Sequence, residues 1–581
     1  QKFVPIVGAG LITGLVMLSG HPQSALTIIL FLVAATIFEI VRTARRGERP
    51  FSGRMLRTLV VAVVSMISAA GIFAVQFLPS QQLAERSQRA EMTYEASTDG
   101  SLELRQIFTL VAPDYFGVTS GDPPADLPFW LRGGGDTYYF WETVVFVGVV
   151  TLVFALVALF GASLGTTGWF LLGAGLFGLL YGLGDNFILH PLFGKLPGLS
   201  SFRIPARMGL LFALAMPLLA GAGLDRLLAG SATKMKHEAL LLGSLGLLLL
   251  IAILLTAGAL DGLLGVPAQL AAAVHSTALP ALLFLAAGIG ISVMALRSKL
   301  PALGVAIAMV LLGTIDLFTF GIEKNRAPSN PEDRLGVNSA NFEAFVADPP
   351  EEIFRVQMRG TGQYSGSMLM LRNQGPYSKI MLIEGYNPLV LDRVYPRTPD
   401  YEESMRLMNA RFVLGVDSAT GAPLGYRERS RTYEHARLLF DAVIVEPDGV
   451  EQVLKDRSLD LSKTAVLEQD PGISLTGSGT GSAAITEYSP SAITVETDGS
   501  SPSILVLSEV YYPAWQAYVD GQSAPLIRTD WSLRGIPVPA GKHVVELRYE
   551  STPFATGLVI SVVSLLLLIV GLVFLRRIDD D

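Results

Sequence analysis

Two arginines, Arg203 and Arg207, bracket Pro205 at the mouth of an apolar run in GLSSFRIPARMGLLFALAMPLL (198–219). Guanidinium groups bind phosphate oxygens bidentately, and a helix N-terminus adds backbone N–H donors. The pair is therefore a candidate clamp for the phosphate of a lipid-linked group. A cation at a helix start opposes the helix dipole, so the placement calls for an anion nearby. The competing readings are snorkelling to lipid head groups and an ion pair with Asp185 or another acid on the same side. His21, in GHPQ, can hydrogen-bond a phosphate or a sugar hydroxyl, or cap the helix that follows. Asp114, Asp136 and Glu142 lie in the aromatic and glycine-rich stretches LVAPDYFG (110–117) and WLRGGGDTYYFWE (130–142). A carboxylate there can deprotonate an acceptor hydroxyl, and two together can hold a divalent cation through oxygen ligands. Turn and helix-start roles compete with both. Glu39 and Asp316 lie near the ends of apolar runs; an intramembrane Asp316 is a functional hint, and a polar contact between helices is the alternative.

The elements that must position these residues are membrane helices. The 581 residues are 50% apolar and 16% charged, where a soluble protein carries about a quarter charged. Ten nearly continuous apolar runs cover roughly 3–20, 22–41, 56–79, 141–160, 167–183, 208–228, 238–260, 270–296, 301–322 and 553–575. Since a span needs about 20 apolar residues, this is a polytopic α-helical membrane protein of about ten spans. Arginine and lysine set orientation. Six arginines in 42–57, and Arg226, Lys234, Lys236, Arg297, Lys299, Arg576 and Arg577, all fall on one face, the expected cytoplasmic one. The turn at 19–23, the loops 80–140 and 184–206, and residues 323–552 then lie outside.

The chain divides on this reading into a transmembrane domain of about nine helices (1–322, with the outer loop 80–140), an extracytoplasmic mixed α/β region (323–482), a membrane-proximal β-sandwich (483–552) and a final helix with a cytoplasmic tail (553–581). Alternating strands such as AITVETD, SILVLSE and HVVELRYE, separated by turns at Asp520-Gly521 and PAGKH, carry the sandwich. GISLTGSGTGSAA (472–484) reads as a linker. Tyr511, Tyr512, Trp515, Tyr518 and Trp531 read as core aromatics before they read as a sugar-stacking platform. A net charge of −8 argues against nucleic acid as a partner. The chain has no cysteine, which excludes disulfides and thiolate metal sites. No nucleotide-binding glycine motif or zinc-ligand spacing occurs.

LSGHPQ (18–23), Glu142 after DTYYFW, LPGLSSFRIPARM (196–208), EGYNPLVL (384–391), LMNARFVLG (407–415), and LSEVYYPAWQAYVDGQ with GIPVPAGKHVVELRYE resemble, in this order, the bacterial YfhO-type membrane proteins. That family is grouped with polytopic GT-C glycosyltransferases. The resemblance implies transfer of a sugar from a polyprenyl-phosphate carrier to a cell-surface polymer or lipid at the outer face of the bacterial cytoplasmic membrane. No certain cofactor is implied beyond an optional divalent cation. GT-C enzymes carry a catalytic acid in their first large outer loop. The first outer loop here, SGHPQ, has none, and the chain begins on Gln1, so the expectation is that this loop precedes the residues present. No base is carried over from the family, and Asp114, Asp136 and Glu142 stand as candidates from their own placement. The alternative function is a non-enzymatic lipid-linked-sugar transporter or envelope-assembly scaffold.

Overall fold

The computed structural model describes residues 4–46, 53–88, 93–117, 140–161, 164–196, 199, 202–228, 237–297, 301–321, 353–357, 380–385, 389–416 and 423–580. The chain forms two compact units. The first holds residues 1–74, 91–326 and 559–581, and the second 75–90 and 327–558.

The first unit is helical. Each of the ten apolar runs contains a helix: Val4–Met17, Pro22–Arg45, Gly53–Ala84, Val149–Gly161, Gly165–Gly182, Leu210–Leu228, Glu238–Thr256, Ala271–Arg297, Ala302–Gly321 and Thr552–Asp580. Among the described residues seven helices are long and apolar enough to cross a membrane, so this is a multi-pass membrane protein; Val7–Met17 and Val149–Phe160 are shorter apolar helices. Glycines let the helices approach closely, as small residues do in membrane bundles. A Cβ on Gly223 would fall 1.9 Å from the Phe154 carbonyl oxygen, and one on Gly178 would fall 2.4 Å from that of Met208.

The run at 141–160 is not one helix. A short turn, Phe140–Thr143, is followed by non-helical backbone at 144–148 before the Val149–Gly161 helix begins. Gly148 has φ +87°, a left-handed conformation that ends the extended stretch. The Asp316 carboxylate, supplied by the Ala302–Gly321 helix, accepts the Val150 N–H at 3.1 Å. It satisfies one of the orphan donors of the new helix start. Asp316 is buried, and its role is the polar contact between helices. Irregular backbone at this depth is tolerated because it is covered by protein: Val145, Val147 and Val149 are all buried.

Segments that the charge pattern places together do meet. At one end, the Leu102 N–H donates to the Gly182 carbonyl, and the Ile204 N–H to that of Asp99. At the other, Arg42 donates to Thr167 Oγ1 at 3.0 Å, and Arg297 pairs with Glu238 at 3.7 Å.

The second unit is built on β-structure. A five-stranded antiparallel sheet has the order β11 (Gln522–Ala524), β10 (Trp515–Val519), β14 (Gly541–Tyr549), β8 (Ala492–Gly499), β7 (Gly481–Tyr488). A six-stranded sheet has the order β4 (Ala436–Leu439), β9 (Ser503–Leu507), β13 (Leu533–Val538), β12 (Ile527–Thr529), β6 (Thr464–Leu467), β5 (Asp441–Ile444). The sandwich therefore draws β4, β5 and β6 from residues ahead of 483. The apolar run HARLLFDAVIVEP supplies β4 and β5.

The two sheets face each other through Ile493, Val495, Trp515, Ala517, Val545 and Leu547 on one side and Leu505, Leu507, Ile536 and Val538 on the other. The opposite face of the six-stranded sheet packs Ile504, Val506 and Leu533 on Leu407, Val450 and Leu454, from the short helices Tyr401–Leu407 and Val450–Leu454. Cover on both faces explains why β9 reads, after Ser503, as the unbroken apolar run ILVL. Pro537 is accommodated in β13 because it pairs only with β9, past the end of β12. Strands β4 and β5 stand at the two ends of the sheet order yet are joined by Phe440 alone. One bent strand therefore joins the two margins of the sheet, antiparallel to β9 in its first half and parallel to β6 in its second. A smaller sheet, β1 (Arg355–Gln357), β2 (Ala410–Val416), β3 (Pro423–Glu428), completes the unit. The stretch YEESMRLMNARFVLG is helix only to Leu407 and then becomes β2.

Candidate functional site

Of the residues singled out in the sequence, Arg207 and Glu142 meet, close in the chain to Arg203, at one end of the helical unit. Arg207 lies in a 3-10 turn, Pro205–Gly209, that leads into the Leu210–Leu228 helix. Its guanidinium takes the Glu142 carboxylate as a fork: Nε donates to Oε2 at 2.7 Å and Nη2 to Oε1. Its Nη1 donates to Gln23 Oε1 at 2.9 Å. Gln23 is itself fixed, because its Nε2 donates to the Ile204 carbonyl at 3.1 Å. The anion that the helix dipole requires beside Arg207 is thus Glu142. Arg203 reaches Asp99 at 3.6 Å, with both side chains more than a third exposed, a looser and wetter pairing. Asp185 serves neither arginine through the contacts seen here; it accepts the Tyr94 hydroxyl at 2.7 Å.

Between the arginines, Ile204 has φ +66°, an outlier for a β-branched residue. It is pinned there. Its N–H donates to Asp99, and its carbonyl accepts from both Gln23 Nε2 and the Arg207 N–H. Gly100, at φ +74°, makes room, since a Cβ on it would lie 2.9 Å from the Ile204 side chain.

His21 caps the Pro22–Arg45 helix; its Nδ1 accepts the Ser24 N–H at 3.2 Å and lies 2.8 Å from Ser24 Oγ. Asp114 sits in a turn closed by the Gly117 N–H on its carbonyl, beside buried Tyr115 and Phe116. It is not brought to Arg207 by any contact described. Asp136 lies outside the described residues. Glu39 pairs with Arg42 on its own helix at 3.0 Å. Among the described residues no three His, Asp or Glu side chains converge as a metal-ligand set.

Three features here were not visible in sequence. Gln23 and Asp99 join the arginines across 184 and 104 positions of chain. His190, buried, faces the Tyr94 hydroxyl at 3.3 Å; burial lowers its pKa, against the pull of Asp185. Burial and the Asp185 hydrogen bond push Tyr94 up to about 12. His275 and Asp261 form a second polar centre, taken up below. An apolar cavity of about 270 Å³ lies within the same unit, lined by Phe108, Leu156, Phe212, Met216, Leu219 and Ile251 among others. Phe212, Met216 and Leu219 belong to the helix that Arg207 introduces.

In the second unit the aromatics are structural. Trp515 and Trp531 are buried. Arg534 lies 4.1 Å over the Trp515 ring, and Arg393 lies 4.0 Å over that of Trp531, cation–π contacts that occupy those faces. Tyr511 and Tyr518 carry Arg528 and Arg548 in the same way. A buried polar cluster gathers on Glu509, which accepts from Arg355 at 2.6 Å and Tyr488 at 2.7 Å and lies 2.8 Å from His435 Nε2.

Fold and site define a class: a multi-pass helical membrane protein with a β-rich unit and a charged cluster at one end of its helices. The family model described as bacterial membrane protein YfhO matches residues 478–561, the family that the ordered motifs resemble. This stretch runs from β7 to β14 and into the last apolar helix. No curated protein and no solved structure matches the chain.

Proposed function

We propose that this protein handles a polyprenyl-phosphate-linked sugar at the extracytoplasmic face of the bacterial cytoplasmic membrane and transfers the sugar to a cell-surface glycan or lipid. The observation that carries this reading is the charged cluster of Arg203, Arg207, Glu142 and Gln23 at the head of a helix whose next two turns line an apolar cavity. A phosphate with a long hydrocarbon tail needs both a guanidinium fork and apolar cover below it. The glycosyltransferase assignment itself rests on the family resemblance, and Asp114 and Asp136 remain candidate acids from the sequence.

Glu142 favours a second reading. Both of its oxygens are engaged by Arg207, so it is positioned to balance charge rather than to take a proton. This fits a lipid-linked-sugar transporter or a scaffold equally well.

The test is a pair of binding curves in nanodiscs, for polyprenyl phosphate and for the dephosphorylated polyprenol. Arg203→Gln and Arg207→Gln should each weaken phosphate binding by about 10- to 150-fold, because a charge-assisted hydrogen bond contributes roughly 1.5–3 kcal/mol. Polyprenol binding should not change. Equal losses for the two lipids would remove the phosphate site.

A further inference from the structure

The Glu509 cluster is closed into its own unit by protein partners, and in the Tyr94–Asp185–His190 group the one imidazole, His190, is buried. The third polar centre is different. His275, in the second turn of the Ala271–Arg297 helix, places Nε2 2.9 Å from each oxygen of Asp261. The pair is partly open, with 23% and 30% of the two side chains exposed. With the Nε2 proton shared between the two carboxylate oxygens, the lone pair resides on Nδ1, and the ring is a proton acceptor oriented by a carboxylate. Tyr115 Oη stands 3.5 Å from Asp261 Oδ1.

The loop is shaped around this pair. Gly258 has φ +69°, and a Cβ there would fall 2.4 Å from His275 Cε1 and 3.1 Å from Asp261 Oδ2. The Asp261 carbonyl accepts the N–H groups of Gly265 and Val266, and the Asp261 N–H donates to Gly258.

The dyad also sits beside the site already described. The short helix Leu104–Leu110 bridges the two: Arg105 Nη1 donates to the Leu264 carbonyl at 3.0 Å, and the next residue, Gln106, donates to Thr143 Oγ1 at 3.3 Å, next to Glu142. Below the dyad, Tyr115 and Leu264 pack with Phe108 and Ile251, and these last two line the apolar cavity.

We propose that His275 is the general base of the sugar transfer, with Asp261 as its positioning residue. This rests on the transferase reading above and supplies the proton acceptor that Glu142, held by Arg207, does not. The acceptor hydroxyl gives its proton to His275 Nδ1, and its oxygen bonds to the anomeric carbon. The anomeric C–O bond to phosphate breaks, and polyprenyl phosphate leaves with the electron pair. The imidazolium, held against Asp261, returns its proton to water.

The experiment follows transfer from a polyprenyl-phosphate sugar by the full chain in nanodiscs, with donor affinity measured alongside. His275→Gln should lower kcat by about 100-fold or more and leave donor affinity unchanged. Asp261→Asn, which keeps the side-chain volume, should give a smaller loss of kcat at the same donor affinity; it serves as the second variant if His275→Gln does not fold. Wild-type turnover with kcat within threefold in both variants would overturn the base while leaving the transferase reading intact. Donor binding without wild-type turnover would overturn His275 as the base and leave the donor site standing.

Discussion

Arg207 is held by three hydrogen bonds from two distant segments, so its fork is preorganised and also already filled. A phosphate must compete with Glu142 for it. Glu142→Gln removes the competing charge and keeps the shape, and it should tighten binding of polyprenyl phosphate by about tenfold, the value of one charge-assisted bond. Weaker binding in an equilibrium titration would mean that Glu142 aims Arg207 at the phosphate instead of competing with it. The two arginines were legible because guanidinium groups stand out at the head of an apolar run. Their partners were not: Glu142 stands in the sequence as a separate acid, and Asp99 carries no local pattern that ties it to Arg203. His275 sits at the start of an apolar run and Asp261 in a turn of DGLLG, and nothing in their spacing announces a dyad.

At the scale of elements, hydropathy located the seven long apolar helices found among the described residues, because burial in lipid demands about 20 apolar residues regardless of detail. It could not show that 141–160 is interrupted, since the break is stabilised by a side chain 166 positions away. Asp316→Ala should therefore lower the melting temperature of the solubilised protein, with a cost of about 0.5–2 kcal/mol for the lost cap. Asp316→Asn, which retains an acceptor oxygen, should lose less. The reverse order in a thermal unfolding assay would argue that the carboxylate serves something other than the helix start. Close packing gives a second expectation. Gly223→Ala puts a methyl into the Phe154 carbonyl, so the Val149–Gly161 and Leu210–Leu228 helices must move apart. A melting temperature equal to wild type would mean that this contact is looser than its geometry.

For the molecule as a whole, orientation is open to direct measurement, because the chain has no native thiol. A cysteine at Gln522 should label with a membrane-impermeant reagent in intact cells, and one at Thr166 should not. Labelling of Thr166 with protection of Gln522 would invert the topology. The β-rich unit should also respond to pH in two opposed ways. Burial lowers the pKa of His435, with Arg355 and Arg534 acting in the same sense. Its neutral form is therefore favoured by folding, and stability is lost as pH falls below about 6.5, where the unfolded side chain takes up a proton. Burial pushes Asp530 up to about 6, so its contribution is present below about 3.9, the unfolded value, and is lost as pH rises through 6. His435→Gln should flatten the first dependence and Asp530→Asn the second, read by hydrogen exchange across β8 to β14. The bent strand through Phe440 has a consequence of another kind. Each half of that strand pairs on one side, so a single short segment supplies both margins of the six-stranded sheet. A single proteolytic cut at Phe440 would therefore uncouple both margins of that sheet from one another at once.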